Sequence, residues 1–265
     1  MGKHIVALLA ALALVAGGAA ATLLPLGEEI TIENTISAPG QDNVVTTGAL
    51  RGQEWDLEGI FYDVYAGHRG VLSMIGGYDF ELGATAGGYT YRTGHLFIDI
   101  DGDAVFGAAA AGLDSSVNSY GWDYALVFDF DNLEVNAFAL NELSPMLPVT
   151  DFPGASANPW RYEVSRGSTW VGTEAINYVR DLDSADVPSE GWFGNNWHNA
   201  IQIDLGFLFD VDPLMGQQNI TFSYTYECGN DLLIGRYIVP EPSSMILLGL
   251  GLAGFATFRM RKKST

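Results

Sequence analysis

Polar and apolar side chains alternate along several short stretches of the chain, and a period of two residues indicates a strand with one buried face. The alternation is clearest over residues 28–36 (EEITIENTI) and 219–227 (NITFSYTYE). Residues 54–65 (EWDLEGIFYDVY) add the aromatic side chains that favour strands. Clusters of Gly, Asn, Asp and Pro between the stretches indicate turns. Further strands are predicted at residues 71–75, 78–82, 89–92, 96–100, 124–130, 134–140, 200–209 and 232–237.

Helical periodicity is almost absent. Residues 170–182 suggest one short helix, residues 141–159 form a Pro-rich loop, and Asp131-Asn132 joins two predicted strands as a hairpin turn. Many short strands separated by turns predict an all-β domain, specifically an antiparallel β-sandwich of the jelly-roll or lectin type. One such domain accounts for residues 22–239, which are enough to bury a hydrophobic core.

The first 21 residues do not follow this pattern. Lys3 precedes an uncharged apolar run at residues 5–16, and small residues follow, with Ala19 and Ala21 in the positions of an A-x-A cleavage site. This order predicts a secretory signal peptide at residues 1–21, with a helical apolar part, that signal peptidase removes during secretion. The alternative is an uncleaved N-terminal anchor, which the shortness of the apolar run disfavours.

The C-terminus has three parts in a fixed order. Pro240-Glu241-Pro242 comes first, and its prolines keep the backbone extended. Residues 243–258 carry no charge, and as a helix they would span roughly 24 Å of the ~30 Å hydrocarbon core, so we expect a short transmembrane helix. A basic cluster follows and holds the end of the chain in the cytoplasm. Its members are Arg259, Arg261, Lys262 and Lys263.

This tail, residues 240–265, resembles the PEP-CTERM sorting signal of Gram-negative bacteria. The resemblance implies that exosortase, a membrane-embedded enzyme, cuts at or near the Pro-Glu-Pro motif and passes the protein to the surface. It also implies an association with exopolysaccharide production and biofilm. The alternative is a plain C-terminal membrane anchor that happens to follow Pro-Glu-Pro.

The body of the chain is similar to a recurring type of PEP-CTERM ectodomain, a β-sandwich surface domain without an assigned reaction. Four segments carry this similarity: Trp55 to Arg69, Gly94 to Asp103, Trp197 to Leu205, and Tyr226 to Asp231.

Charge and composition exclude several kinds of function. The formal net charge is −20, which repels nucleic-acid phosphates and anionic lipids, so no nucleic acid is expected as a partner. Residues 22–239 contain no lysine, which excludes P-loop and Schiff-base chemistry. Cys228 is the only cysteine, so no intramolecular disulfide forms, and we expect its side chain to be buried.

Asp99, Asp101 and Asp103 are the strongest candidate metal ligands. Alternate residues of a strand share a face, so these three carboxylates are predicted to converge on one side and to suit Ca²⁺. Asp129 and Asp131 would add oxygens if the fold places them nearby. The alternative is an acidic strand end followed by a turn, in which Asp and Gly act only as turn residues.

Histidines and tryptophans supply weaker candidates. His68, His95 and His198 are more simply explained as hydrogen-bonded turn or core residues than as zinc or triad residues, because no HExxH or GxSxG motif occurs. Four tryptophans in or beside loops either stack on sugar rings or cap the ends of the core. They are Trp160, Trp170, Trp192 and Trp197.

The sequence therefore predicts an exported, non-enzymatic surface or extracellular-matrix protein, which Ca²⁺ stabilises and which associates with exopolysaccharide. The expected partners are signal peptidase, the secretion machinery and exosortase, with the inner membrane holding the protein before processing. The alternative is a secreted carbohydrate-binding module or a polysaccharide hydrolase on the same β-sandwich. A hydrolase would require two carboxylates flanking one cleft, a separation that no sequence pattern reveals.

Overall fold

The computed structural model of the chain describes residues 25–33, 52–64, 70–151, 157–164, 166–183, 187, 197–212, 215 and 219–238. The predicted signal peptide with its helix, and the predicted transmembrane helix, lie outside the described residues. Among the residues that are described, no helix is both long and apolar enough to cross a membrane.

Strands dominate the described part of the chain. In chain order they are β1 (Glu28–Glu29), β2 (Thr31–Glu33), β3 (Leu57–Asp63), β4 (Val71–Gly76), β5 (Ala84–Ala86), β6 (Tyr89–Tyr91), β7 (Leu96–Asp99), β8 (Tyr124–Asp129), β9 (Glu134–Leu140), β10 (Met146–Leu147), β11 (Arg161–Tyr162), β12 (Ser168–Leu182), β13 (His198–Asp204), β14 (Ile220–Thr225) and β15 (Leu232–Tyr237). A short helix, α1 (Gly206–Val211), follows β13, and single 3₁₀ turns lie at Gln53–Trp55 and Gly107–Ala110.

Eleven of these strands form one antiparallel sheet in the order β1-β3-β4-β13-β12-β9-β8-β7-β14-β15-β2. The remaining four make two small antiparallel pairs, β5 with β6 and β10 with β11. The predicted hairpin is confirmed, because β8 pairs with β9 across a turn that contains Asp131 and Asn132.

The two ends of the sheet meet at one segment of the chain, residues 28–33. Its first part, β1, pairs with β3, and its second part, β2, pairs with β15. Between them, the Ile30 amide donates to the Ile60 carbonyl at 2.9 Å, and the Ile30 carbonyl accepts from the Arg236 amide at 2.8 Å. The sheet is therefore nearly closed and barrel-like. The predicted all-β antiparallel class is confirmed, but a single rolled sheet replaces the predicted sandwich of two sheets.

The longest strand, β12, connects the two halves of the rolled sheet. Its first half pairs with β9 and its second half with β13, and bulges interrupt the register between Trp170 and Gly172 and between Val179 and Leu182. The predicted helix at residues 170–182 is wrong. Ile176 faces the interior, whereas Val179 and Leu182 belong to a cluster on the outer face. Because both faces are buried and a bulge shifts the alternation, apolar residues recur at a helix-like spacing of three.

Apolar side chains pack on both sides of the sheet. The interior is filled by alternate strand residues and by aromatic rings such as Tyr78 and Tyr226, which stack with centroids 4.4 Å apart. Outside, loop residues such as Leu26 and Val187 cover Phe61, Ile75 and their neighbours. This double burial explains why β3 and β4 consist of almost continuously buried residues.

Two further strand predictions need correction. Residues 78–82 form a turn after β4, and the predicted strand at residues 200–209 ends at Asp204, where α1 follows. Leu205 closes the end of β13 against the core, because its amide donates to the Gly70 carbonyl at 2.7 Å.

Cys228 is buried as expected, and burial raises the pKa of its thiol to about 12, so the thiol is neutral and unreactive at physiological pH.

Candidate functional site

The acidic turn, defined here as Asp99, Asp101, Asp103 and Asp123, is the candidate metal site of the described residues. Asp99 is the last residue of β7, and Asp101 and Asp103 follow it in the turn. Ligand oxygens of these three aspartates all lie within 4.8 Å of one another, so the structure brings the three predicted carboxylates together. Asp99 is buried, while Asp101 and Asp103 are exposed.

Backbone hydrogen bonds hold the acidic turn in shape. Asp99 Oδ1 accepts from the amide of Gly102 at 2.8 Å and from the amide of Asp101 at 3.2 Å. Asp101 Oδ1 accepts in turn from the amide of Asp103 at 3.2 Å. Gly102 has a φ of 87°, a conformation that glycine adopts without strain. These bonds agree with the alternative interpretation, in which Asp and Gly act as turn residues. They also leave other carboxylate lone pairs available to a cation.

Asp123 is the member that the sequence did not identify. It immediately precedes β8, and the pairing of Ile98 with Tyr124 sets it beside the end of β7. Its Oδ2 accepts from the Ile100 amide at 2.7 Å. Asp129 and Asp131, which the sequence suggested instead, lie at the other end of β8, where Asp129 accepts hydrogen bonds from Asn132. Antiparallel pairing places the start of β8, not its end, beside Asp99.

Electrostatics within the acidic turn favour a bound cation. Burial raises the pKa of Asp123 to about 6, and repulsion from Asp101, Asp99 and Asp103 adds to the increase. Burial also raises the pKa values of Asp99 and Asp103. Because these carboxylates disfavour one another's ionisation, a divalent cation between them would offset both the repulsion and the desolvation.

A second group of polar side chains is buried in the rolled sheet. His198 Nδ1 and Glu58 Oε2 lie 2.7 Å apart, and neither residue is accessible to solvent. Gln53 Nε2 donates to Glu58 Oε1 at 2.8 Å. The pair joins β3 to β13 across the intervening strand β4, so His198 is a hydrogen-bonded core residue. His95 is also buried, and His68 lies outside the described residues.

Segments that carry the ectodomain resemblance meet around this buried pair. The Tyr226 hydroxyl donates to the Trp55 carbonyl at 2.6 Å, and Asp231 Oδ2 accepts from the Leu57 amide at 2.8 Å. Asn199 donates from Nδ2 to the backbone of the turn after β4. Burial, with a further contribution from Asp56, raises the pKa of Asp231 well above its ordinary value. These contacts lie within the core, so the residues that carry the ectodomain resemblance stabilise the fold.

The described tryptophans do not form one sugar-binding platform. Trp160 is 4% exposed, whereas Trp170 and Trp197 are 58% and 43% exposed. Trp170 lies near the start of β12, and Trp197 precedes β13, whose first residue pairs with the end of β12. The length of β12 therefore separates the two exposed rings. Trp192 lies outside the described residues.

The residues predicted for export and sorting also lie outside the described part of the chain. They are Ala19, Ala21, Pro240, Glu241, Pro242, Arg259, Arg261, Lys262 and Lys263. The last described residue, Ile238, is exposed and follows directly on the last strand, β15.

Comparison with known proteins bears on that C-terminal segment. No curated protein and no solved structure matches the chain. Residues 239–262 match the family described as the PEP-CTERM protein-sorting motif. The match starts one residue before Pro240 and includes the Pro-Glu-Pro motif, the apolar segment and most of the basic cluster. The chain thus carries a PEP-CTERM protein-sorting motif at its C-terminus, and this motif implies an exported protein that exosortase sorts to the membrane or cell surface.

Proposed function

We propose that the protein is a non-enzymatic component of the cell surface or extracellular matrix, released from its C-terminal anchor by exosortase and associated with exopolysaccharide. The observation that carries this proposal is the position of the sorting motif. The last strand of the sheet ends at Tyr237, and the motif begins at residue 239. Cleavage at the motif would therefore remove none of the described strands, and the rolled sheet would leave with its described core intact.

The arrangement of the acids supports a non-enzymatic role over hydrolysis. A glycoside hydrolase requires two carboxylates on either side of one cleft. One cavity among the described residues, lined in part by Arg92, His95 and Arg161, has a single acidic side chain, Glu81, which forms an ion pair with Arg180 at 3.1 Å. In contrast, the ligand oxygens of Asp99, Asp101 and Asp103 lie within 4.8 Å of one another, which suits a cation better than a sugar ring.

The sorting proposal is tested with a triple variant of the full chain, Pro240→Ala, Glu241→Gln and Pro242→Ala. In a bacterium that contains exosortase, we expect the wild-type chain to appear outside the inner membrane in a form shortened at its C-terminus. The variant should stay at full length in the membrane fraction, as should the wild type in a strain without exosortase. Cell fractionation and intact-mass measurement distinguish the forms.

Glu163→Gln is the matched control, because it removes one exposed carboxylate outside the motif. It should be processed like the wild type. Processing of the triple variant at the wild-type rate would contradict the proposed role of Pro240, Glu241 and Pro242.

Calcium stabilisation by the acidic turn is the second part of the proposal. Convergence of Asp99, Asp101 and Asp103 supports it, and Asp123, which precedes β8, lies nearby because it accepts from the Ile100 amide. Asp99 ends β7 and Asp123 immediately precedes β8, so a cation held by both would link the start of β8 to the end of β7.

Thermal unfolding of the full chain in detergent, with Ca²⁺, with Mg²⁺ or with chelator, tests this part. At a Ca²⁺ concentration ~100-fold above Kd, ligand binding stabilises the folded state by about 2.7 kcal/mol, which corresponds to a rise in Tm of about 5–10 °C. Asp101→Asn should abolish the rise, and Asp131→Asn, in the exposed hairpin turn, should retain it. An equal rise in both variants, or no rise in the wild type, would remove calcium from the proposal.

A further inference from the structure

A cavity of about 250 Å³ lies at the end of the rolled sheet opposite the acidic turn. Its walls come from the segment Arg92–His95 before β7, from the end of β8, from the turn after β4, and from Arg161 of β11. Leu82 and the Arg92 side chain, each 60% exposed, indicate the side on which the cavity opens. This volume is below the roughly 300–1,000 Å³ of drug-sized ligand sites, so the cavity suits a single ring.

Arg161 places a partly buried positive charge in the wall of the cavity. The other two charged lining residues have ion-pair partners, since Arg92 contacts Glu227 at 3.0 Å and Glu81 contacts Arg180 at 3.1 Å. Among the described residues, no carboxylate lies within ion-pair distance of Arg161. Burial, and then repulsion from Arg92, lower the pKa of Arg161. Attraction to Glu227, the ion-pair partner of Arg92, acts in the opposite direction but does not amount to a direct ion pair with Arg161.

The guanidinium of Arg161 is held in a fixed orientation. Its Nε and Nη2 donate to the Thr93 carbonyl at 2.9 and 2.5 Å, and its Cζ lies 4.5 Å from the centroid of the Trp160 ring. Within the described part of the chain, the two N–H groups of Nη1 have no acceptor. A rigid guanidinium with free donors binds a carboxylate at low entropic cost, because little side-chain freedom is lost.

His95 supplies a further donor beside Arg161. The ring is 5% exposed and lines the cavity. Burial and the charge of Arg161 lower its pKa well below the ordinary value, so the ring is neutral. Nδ1 accepts from the Tyr162 amide at 3.3 Å, which leaves the proton on Nε2. No other described residue accepts a hydrogen bond from Nε2.

Aromatic rings form the apolar part of the wall. Phe128 and Phe130 are half-buried, with their rings stacked 5.7 Å apart, whereas Phe80 is fully buried and presents no surface to a ligand. Aromatic faces pack against flat or chair-shaped rings and exclude water from the neighbouring charge, which strengthens an ion pair there.

We propose that this cavity binds a monocarboxylate carried on a single six-membered ring, with the carboxylate on Arg161 and His95 and the ring against Phe128 and Phe130. A sugar acid and an aromatic acid share this chemistry. Binding of a sugar acid would deepen the proposed exopolysaccharide association, and in that respect the inference rests on the proposed function. Sorting and calcium binding do not involve the cavity, so failure here leaves both of those proposals unaffected.

The test is a titration of the full chain, followed by saturation-transfer NMR, in a polyoxyethylene detergent that carries neither sugar nor charge. Probes are glucuronate and benzoate, compared with glucose, acetate and inorganic phosphate. A ligand this small is expected to bind with a Kd on the order of 1 mM. We expect saturable binding of glucuronate or of benzoate, and the one that binds identifies the source of the carboxylate.

Three variants locate the binding. Arg161→Gln should weaken it at least tenfold, because a charged hydrogen bond is lost. Leu82→Trp, at the exposed rim, should obstruct the cavity and weaken binding without changing Arg161. If Arg161→Gln does not fold, this variant shows whether the ligand binds in the cavity. Arg166→Gln, which removes an exposed arginine elsewhere, should bind like the wild type.

Three results would overturn the proposal. The first is no saturation by either ring carboxylate at about 10 mM, ten times the expected Kd. The second is equal binding of acetate or phosphate, which would show a general anion site. The third is binding that both Arg161→Gln and Leu82→Trp leave unchanged.

Discussion

Asp123 shows how strongly one residue's surroundings determine its chemistry. Its carboxylate bonds the Ile100 amide, yet burial and three neighbouring aspartates raise its pKa to about 6. An unfolded aspartate titrates near ~3.9, so the folded state releases this proton less readily. Stability is therefore lost as the pH rises from about 4 to about 6, and the full penalty is present above that window. Partial solvent exposure reduces the penalty to roughly 1–2 kcal/mol.

Asp123→Asn is expected to stabilise the protein in the absence of divalent cations. Asparagine keeps an oxygen for the Ile100 amide and removes the ionisation that the fold disfavours. In chelator at about pH 7.5, Tm should rise by about 2–8 °C, and at about pH 4 the gain should nearly vanish because the aspartate is then protonated. Thermal unfolding of the full chain at both pH values measures the difference.

Asp131→Asn is the control for this substitution, since it removes a carboxylate from an exposed turn. We expect no pH-dependent gain from it. If Asp123→Asn destabilised the protein equally at both pH values, its carboxylate would act as a hydrogen-bonding group alone, without the electrostatic penalty.

At the scale of the elements, the segment between β6 and β7 packs with its backbone in close contact with two neighbouring segments. The Glu227 amide donates to the Arg92 carbonyl at 3.0 Å, and the His95 amide donates to the Trp160 carbonyl at 2.8 Å. Gly94 lies between these bonds. A Cβ there would lie 1.9 Å from the Thr225 carbonyl oxygen and 2.7 Å from that of Trp160. Only glycine allows this segment to fit between β14 and β11, which also shapes the cavity.

Gly94→Ala should therefore lower the free energy of unfolding by about 2–3 kcal/mol or more, because two backbone carbonyls must move to accept one methyl group. Denaturant unfolding of the full chain gives the value. Gly88→Ala serves for comparison, since a Cβ at Gly88 meets nothing within 4 Å and only its φ of 83° opposes the change. That strain costs about 1 kcal/mol. Equal losses in the two variants would mean that the close contacts at Gly94 relax freely.

The strand β12 illustrates why some elements are missed by pattern analysis. It belongs to both halves of the rolled sheet, and its two bulges shift the faces of the residues that follow them. Ile176, Val179 and Leu182 are all buried, but on different sides of the sheet. Periodicity identifies a strand only while one face stays buried, and β12 does not meet that condition.

At the scale of the whole molecule, the two proposed ligand sites lie at opposite ends of the rolled sheet. The acidic turn lies at one end of β7 and β8, and the cavity with Arg92 and Arg161 lies near the other end. The two proposed ligands would therefore bind at separate places, so they do not compete.

The sequence alone determined the features that depend on neighbouring residues. Alternation predicted most strands and the antiparallel all-β class, and the C-terminal motif was identified from contiguous residues, as the match at residues 239–262 confirms. The convergence of Asp99, Asp101 and Asp103 was predicted correctly, although a turn after Asp99, and not the alternation of a strand, brings Asp101 and Asp103 to it.

Tertiary structure alone decided the features that join distant segments. Residues 28–33 close the sheet, β8 brings Asp123 to Asp99, and the cavity gathers Arg92–His95, the end of β8 and Arg161. Local periodicity follows from backbone geometry and can be recognised in any short stretch. Strand order and closure follow from which faces pack together across the whole chain, and no short stretch contains that information.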